Sequence, residues 1–567
     1  MPGRGGTFLR DAIRDPDRRL AVPLWIVIAV ALVVLSRGLP PRSFFVGDPG
    51  VKLIAARNAI AHPGRPLDID VPAIGGRQVD LMDPFFRVHG DHAHAITSES
   101  FVLASSALIA AFGIRGAFIL PAAGFLLALA AVASIGRSLD SRRSRTWTIV
   151  VAAACTPLMF YALEFWEHTV AVGTAALATA LLVRPRRDRR TLVLSGALLG
   201  ISALLRPDAA WFAAALLAAS PFLPSPLTSR EIAVTIAGAA IGYAPLVLWS
   251  IVHSGHLLGA HVGGNLPSIG DRWSASRLAI LRSWLMPEHS PLALAAVASI
   301  FIAVAAGARR SGEFALRLAG IAIAIFVSIA AVRRMFPPAT IWCAAPVATI
   351  VMALGSPRER AGRAFLLTVT VVFAVCAIAT APTDGGGQWG PRYLLLAFIP
   401  IAVLAADGIE TPFTGPFVAR LAVTAILIGA SLLIQRNAYK ELQSTKRTYG
   451  RIVDAIERST PTDAVLVTDV WWVDQVAAAL YPGRTFLFAA TPAAAHDALA
   501  SLAAAHTGDV FVIRSRSEST AAPLAEWLAG TGLASVEVVA IPERELEIHK
   551  TVRLSYSPSS RVSASPK

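Results

Sequence analysis

Apolar runs of roughly 16 to 22 residues recur along this chain, the length of helix that crosses the hydrocarbon core of a bilayer. They lie near 21–36, 116–135, 146–163, 168–183, 191–205, 209–222, 232–252, 290–307, 314–332, 338–354, 364–381, 391–406 and 417–434, about thirteen in all. A fourteenth stretch, 99–113, is apolar but short, and reads as a re-entrant or interfacial helix. Of the 567 residues 55% are hydrophobic and only 16% charged, too little polar surface for a globule in water. The mean hydropathy, +0.59, agrees. The fold class expected is therefore an α-helical polytopic membrane protein.

The formal charge of +14 does not indicate a nucleic-acid partner, because no basic stripe with interleaved aromatics accompanies it. The arginines gather in short loops. Arg137, Arg142, Arg143 and Arg145 fill one, and Arg184, Arg186, Arg187, Arg189 and Arg190 another. Arg309 with Arg310, and Arg358, Arg360 and Arg363, fill two more. With thirteen spans these loops and the N-terminus share one side, which the positive-inside rule makes cytoplasmic. The opposite face receives 37–100, 253–289, 382–390 and everything after 435, and the twelve histidines all fall there or in the C-terminal segment. Arg333 and Arg334 stand on the wrong side. The N-terminal run has basic residues before it, yet Ser36-Arg37-Gly38-Leu39-Pro40-Pro41 offers no small-x-small cleavage site, so an uncleaved helix is expected. Cys155, Cys343 and Cys376 lie within apolar runs and have neither metal-ligand nor disulfide spacing.

Composition turns soluble near 440. A helix over 441–458 precedes β-rich runs at 464–468 and 509–513, a helix at 493–505, and closing strands at 536–540 and 551–554. The expected division is a cytoplasmic segment 1–20, a transmembrane catalytic domain 21–435 that includes the outer loop 37–100, a small extracytoplasmic α/β domain 440–556, and a frayed Ser/Pro-rich tail 557–567. In the α/β domain Asp469, Trp471, Trp472 and Asp474 form either an aromatic platform for sugar or a packed edge.

Ionisable residues cluster at one predicted membrane face, which is expensive to maintain without a task. Asp48, within Gly47-Asp48-Pro49-Gly50, has glycines on both sides that would let backbone approach a ligand, although Asp-Pro-Gly is also a common turn. Lys52 follows one turn later. His89-Gly90-Asp91-His92-Ala93-His94 is rich in metal-ligating types but matches no closed zinc spacing, and reads sooner as a polar loop tip than as a metal cluster. Glu164-Phe165-Trp166-Glu167-His168 joins two spans with almost no loop, and Arg206-Pro207-Asp208 makes a second tight turn. Gln388-Trp389-Gly390-Pro391-Arg392-Tyr393 opens the twelfth span. Arg392 there suits a phosphate, and Trp389 and Tyr393 suit a sugar ring, unless all three form an interfacial belt.

Taken in order, Gly-Asp-x-Gly in the first outer loop, Phe-Trp-Glu-His, Leu-Arg-Pro-Asp and Gln-Trp-Gly-Pro-Arg-Tyr resemble the motifs of bacterial polytopic glycosyltransferases of the GT-C superfamily. The resemblance covers about residues 20–435. It implies transfer of a sugar from a polyprenyl-phosphate lipid to a cell-envelope acceptor (glycan, lipid or protein) outside the cytoplasmic membrane, by an inverting reaction. The family's first-loop carboxylate, base or metal ligand, carries over onto Asp48. Family members often show two adjacent acids there, whereas Pro49 follows Asp48, which leaves the need for a divalent cation, Mg2+ or Mn2+, open; Asp48 and Glu167 would be its ligands. On the residues themselves, Asp48, Glu167 and His168 are candidates for the chemistry, and Lys52, Arg206, Asp208, Trp389, Arg392 and Tyr393 for the donor's phosphate and sugar. The alternative function is a transporter or flippase of a lipid-linked saccharide, which would require ionisable groups at midplane on broken helices.

Overall fold

The computed structural model describes residues 16–140, 143–254, 273–285, 313–354, 362–410, 417–505, 509–517 and 523–553. The span expected at 290–307 and the tail 557–567 lie outside them. The chain divides into two compact units, one of residues 1–40 and 97–444, the other of 41–96 and 445–567. Residues 41–96, read from sequence as an outer loop of the membrane domain, thus fold with the C-terminal segment.

The first unit is helical. Among the described residues five helices are long and apolar enough to cross a bilayer, containing Leu20–Arg37, Glu99–Leu139, Arg363–Thr380, Arg392–Ile409 and Leu421–Ser459, with shorter apolar helices at His168–Leu182, Asp208–Phe222 and Gly320–Val332. The first of them, Pro16–Arg37, leaves Val22, Ile26, Val27, Val30 and Val34 exposed, a face that is at home only in lipid. The chain is a multi-pass membrane protein.

Small residues set the helix packing. Gly196 and Gly200 of the helix Arg189–Leu205 face Gly238 and Gly242 of the helix Ser229–Ser254. A Cβ at any of the four would overlap a backbone carbonyl of the other helix: Thr235, Ala239, Val193 or Ala197. Without water to expel between helices in lipid, this close backbone approach is what gains dispersion energy. Gly124 and Gly173 do the same for the helices Ile119–Leu139 and His168–Leu182.

Three expected spans are interrupted. The run 146–163 breaks at Cys155-Thr156-Pro157 into Arg145–Ala154 and Leu158–Ala162. The Thr156 carbonyl accepts a bond of 2.6 Å from the Gln435 amide, which satisfies the backbone the break exposes. Pro346 divides 338–354 into Ile341–Ala344 and Pro346–Leu354. The span near 391–406 begins as a 3-10 turn, Arg392–Ala397, before the helix Phe398–Glu410. Conversely, 417–434 and 441–458 are one helix, Phe417–Ser459, because no Gly or Pro between 430 and 449 interrupts it. The short apolar stretch at 99–113 is the helix Glu99–Phe112, continued through a 3-10 turn into Ile119–Leu139.

Two arginines used to read the topology are ion-paired. Arg143 is buried and binds Asp407 through three bonds of 2.8, 3.1 and 2.9 Å. Arg334, on the wrong side by the loop count, binds Glu441 at 3.0 Å.

In the second unit, residues 41–96 form the helix Asp48–Ala61, an antiparallel sheet ordered β1 (Ile69–Asp70), β5 (His92–Ala95), β4 (Phe86–His89), and the small ribbon β2 (Ala73–Ile74) with β3 (Arg77–Gln78). The C-terminal part is a five-stranded sheet ordered β7 (Thr485–Phe488), β6 (Val465–Thr468), β8 (Val510–Ser515), β10 (Leu546–Arg553), β9 (Leu533–Ile541). Strands β6, β7 and β8 run parallel and the last two close the sheet antiparallel. Ile74 shares a core with Val467, Leu487, Leu499, Val512 and Trp527, so the two sequence-distant segments bury one apolar cluster. Trp472 and Asp474 are buried, leaving Trp471, stacked on Phe85 with centroids 6.0 Å apart, as the exposed ring of the expected platform.

Candidate active site

In the first unit, seven residues singled out by sequence come together. The tight turn after Arg189–Leu205 presents Arg206, whose Nε donates to Asp208 Oδ1 at 2.9 Å. Its Nη2 donates to the Arg392 carbonyl at 3.4 Å. The carboxylate of Glu167 lies close enough to add its charge to that of Asp208 around Arg206. Tyr393 lies under both cations: the Arg206 guanidinium carbon is 5.6 Å and that of Arg392 4.9 Å from its ring centroid. Arg392 is steered further by the Tyr393 hydroxyl, which accepts from Nη2 at 2.9 Å. The Gln388 amide, assigned the orientation its neighbours require, completes this setting: its oxygen then accepts from Arg392 Nη1 at 3.0 Å and its nitrogen donates to the Gly385 carbonyl at 3.0 Å.

Glu167 and His168 sit on the other wall. His168 opens the helix His168–Leu182, its Nδ1 3.4 Å from Glu167 Oε1. The imidazole stacks on Tyr161 at 5.0 Å with 15° between planes, and Trp166 closes the stack at 5.3 Å from each. Glu164, Glu167 and His168 are all buried, so they do not form the lipid-interface belt that sequence left open. Trp389, also buried, packs on Phe160 at 6.5 Å, which makes it part of the wall under the loop.

Four contributors were missed in sequence: Tyr161 and Trp284 lay unmarked in a span and a loop, while Gln388 and Trp166 were quoted in motifs without a role. Pro157 was the available signal for Tyr161, since a proline inside a span marks a broken helix, and broken helices line cavities. Trp284 had no local signal; its ring sits 6.2 Å from Tyr393 and its Nε1 donates to the Asp384 carbonyl at 2.6 Å.

Asp48 and Lys52 belong to the second unit. Asp48 opens the helix Asp48–Ala61, so Asp-Pro-Gly is a helix start with Pro49 in the first turn, where a missing N–H costs nothing. Lys52, expected as a cation for the donor, is buried and gives its ammonium to Asp48 Oδ2 at 2.7 Å, one helical turn away. It balances the charge of Asp48. The flanking glycines do admit close backbone approach, but to Gln475: a Cβ at Gly47 would overlap its side chain, and one at Gly50 its carbonyl.

The histidine-rich stretch is the β4–β5 hairpin, turned at Gly90 with φ +65°. His92 faces Asp91 at 3.3 Å and His94 faces Asp68 at 3.7 Å. Among the described residues no three His, Cys, Asp or Glu side chains are placed to hold a metal ion.

No protein-family model matches this sequence, and no curated protein is similar to it. Solved structures are. ArnT from Cupriavidus metallidurans bound to undecaprenyl phosphate is 12% identical, with 94% of this chain and 98% of that one covered and a TM-score of 0.54. The same protein in the apo state is 13% identical over the same shares, with a TM-score of 0.51. The Archaeoglobus fulgidus oligosaccharyltransferase in the apo form is 12% identical over 86% of this chain and 69% of that one, with a TM-score of 0.43. At such identity the likeness is one of fold. The chain shares the fold of these ArnT structures.

Proposed function

We propose that this protein transfers a sugar from a polyprenyl-phosphate lipid to a cell-envelope acceptor on the outer face of the cytoplasmic membrane. One observation carries the reading: two guanidinium groups, Arg206 and Arg392, converge on the Tyr393 ring within a buried polar cluster of a membrane protein. Planar, permanently charged forks on an aromatic floor suit a phosphate, and a lipid-linked phosphate presents itself only at a membrane surface. The ArnT structure bound to undecaprenyl phosphate supports the same ligand class by its fold. The N-terminus is proposed to be cytoplasmic and the C-terminal segment extracytoplasmic, from the arginine loops.

In the proposed reaction the bond between the sugar's anomeric carbon and the phosphate oxygen breaks. Its electron pair stays on that oxygen, giving the lipid monophosphate. Arg206 and Arg392 stabilise the charge as it grows, which is where fixed cations act most strongly. The acceptor hydroxyl forms the new bond to the anomeric carbon and yields its proton to a carboxylate. The motif resemblance assigns that role to Asp48, whose Oδ2 accepts from the Lys52 ammonium at 2.7 Å. A single in-line displacement inverts the anomeric centre. Glu167 and His168 orient Arg206 and the sugar, and Asp208 holds Arg206 in register.

The test of the phosphate site is binding of undecaprenyl phosphate to purified protein. Arg206→Ala and Arg392→Ala are each expected to weaken it at least tenfold while the protein stays folded in detergent. Undiminished binding by both variants would move the lipid phosphate elsewhere.

A further inference from the structure

The C-terminal segment has no direct part in this transfer. The way it grips the Asp48-bearing helix gives it an indirect one. Asp83, Asp474 and Gln475 are all buried. The Gln475 amide donates to Asp83 Oδ2 at 2.7 Å, and the Phe85 backbone N–H donates to Oδ1. The Asp83 and Asp474 carboxyls are hydrogen-bonded to each other, and burial raises both above the usual aspartate range. Asp83 thus holds Gln475 through a direct bond, with the Phe85 N–H and Asp474 on its other sides.

The same Gln475 is the surface on which the Asp48 helix starts. Its side chain fills the space a Cβ at Gly47 would need, and its carbonyl the space of one at Gly50. Gly50 and Val51 donate back to the Gly47 carbonyl at 2.7 and 3.2 Å, so the first turn is closed against this surface. Farther along the helix, Arg57 Nη1 donates to the carbonyls of Ala479 at 2.8 Å and of Tyr481. Asn58 Nδ2 donates to the Asp68 carbonyl at 2.9 Å. The helix is thus fastened at both ends, and the fastening nearest Asp48 is Gln475.

We propose that Gln475, oriented by the Asp83–Asp474 pair, is the positioning residue for Asp48, and that the C-terminal segment takes part in transfer by fixing the first turn of the helix that carries the base. The proposal rests on Asp48 acting in the reaction. Glycines flank Asp48 because the helix must meet Gln475 at backbone distance, and an alanine there would push the carboxylate away.

The experiment is hydrogen exchange on the purified full-length protein, read in peptides covering 47–56, alongside turnover of undecaprenyl-phosphate sugars. Gln475→Ala is expected to speed exchange in that peptide about tenfold, because it removes the side chain packed against Gly47 together with the hydrogen bond to Asp83 that orients it. It is expected to lower kcat by a similar factor with KM for the lipid unchanged. Gly47→Ala should be costly in the wild-type background and less so in Gln475→Ala, because the two worst overlaps of the new methyl, with Gln475 Oε1 and Cδ, are removed while the Cβ contact at 3.0 Å remains. Gly64→Ala, whose Cβ would meet nothing within 4 Å, is the neutral control. Should Gln475→Ala not fold, Gly50→Ala replaces it: alanine favours a helix by propensity, so lost protection there reports lost docking. Unchanged exchange in 47–56, or faster exchange with unchanged kcat, overturns the proposal. An active Asp48→Asn protein would instead remove the base assignment, and leaves the exchange result standing as a statement about the helix alone.

Discussion

Asp474 gives this protein a pH dependence opposite in sign to that of an ordinary paired carboxylate. Burial, and the Asp83 carboxyl hydrogen-bonded beside it, raise its pKa well above the usual aspartate value. In the unfolded chain the same group has lost its proton above about pH 4. Between those limits the folded state holds one more proton than the unfolded state. Stability is therefore greatest below the unfolded value and falls as pH rises through the window, by about 1.4 kcal/mol per pH unit for one proton, until the folded group ionises. Asp474→Asn keeps an N–H donor toward Asp83 at every pH and removes the titration. The assay is thermal melting of the full-length protein in detergent, at fixed scan rate, between pH 4.5 and 9. For a unit of this size each 1.4 kcal/mol corresponds to about 3–6 °C. The wild-type melting temperature should fall relative to that of Asp474→Asn as pH rises, and the variant should be the more stable at pH 8. Parallel curves, offset by a constant, would refute the raised pKa of Asp474.

Three further outcomes follow from the geometry. Asp407→Ala leaves the buried Arg143 guanidinium without its carboxylate and should cost about 3–5 kcal/mol, seen as lost yield of folded protein. Gly200→Leu places a side chain where the Ala239 carbonyl stands, so the helices Arg189–Leu205 and Ser229–Ser254 must separate; melting should drop by several degrees, and an unchanged value would contradict the packing. Arg392→Lys keeps the charge but loses the fork held by Gln388 and Tyr393, and should weaken undecaprenyl phosphate about 10- to 100-fold in a direct binding titration.

How far the sequence could be read depended on whether each signal was local. Apolar runs such as His168–Leu182 and Arg363–Thr380 were legible to within a residue or two, since lipid requires unbroken hydrophobicity over a fixed length. Breaks inside spans were not, because Thr156-Pro157 and Pro346 sit in equally apolar surroundings and announce themselves only by ring chemistry. Strand β7 escaped because Thr485–Phe488 is four residues long and begins just after Pro482-Gly483. The ordered motifs pointed to Glu167, His168, Arg206, Asp208 and Arg392 as one group, which the first unit assembles. What motifs could not give was long-range partnership. Nothing local says that Gly47 and Gly50 are spaced for Gln475, more than 400 positions away in the chain, or that Ile74 packs on Leu499. Such contacts depend on tertiary packing, which overrides the turn propensity of Asp-Pro-Gly.

The most direct test of the account is a transfer assay on purified full-length protein with a panel of radiolabelled polyprenyl-phosphate sugars, run for wild type and Asp48→Asn, with and without EDTA. The account predicts that wild type releases free lipid phosphate from one donor and Asp48→Asn does not, while both proteins fold and bind undecaprenyl phosphate equally; the EDTA arm settles whether a divalent cation is needed. Equal turnover by Asp48→Asn, or movement of a labelled glycan across liposomes with its covalent structure intact and no lipid phosphate released, would contradict it.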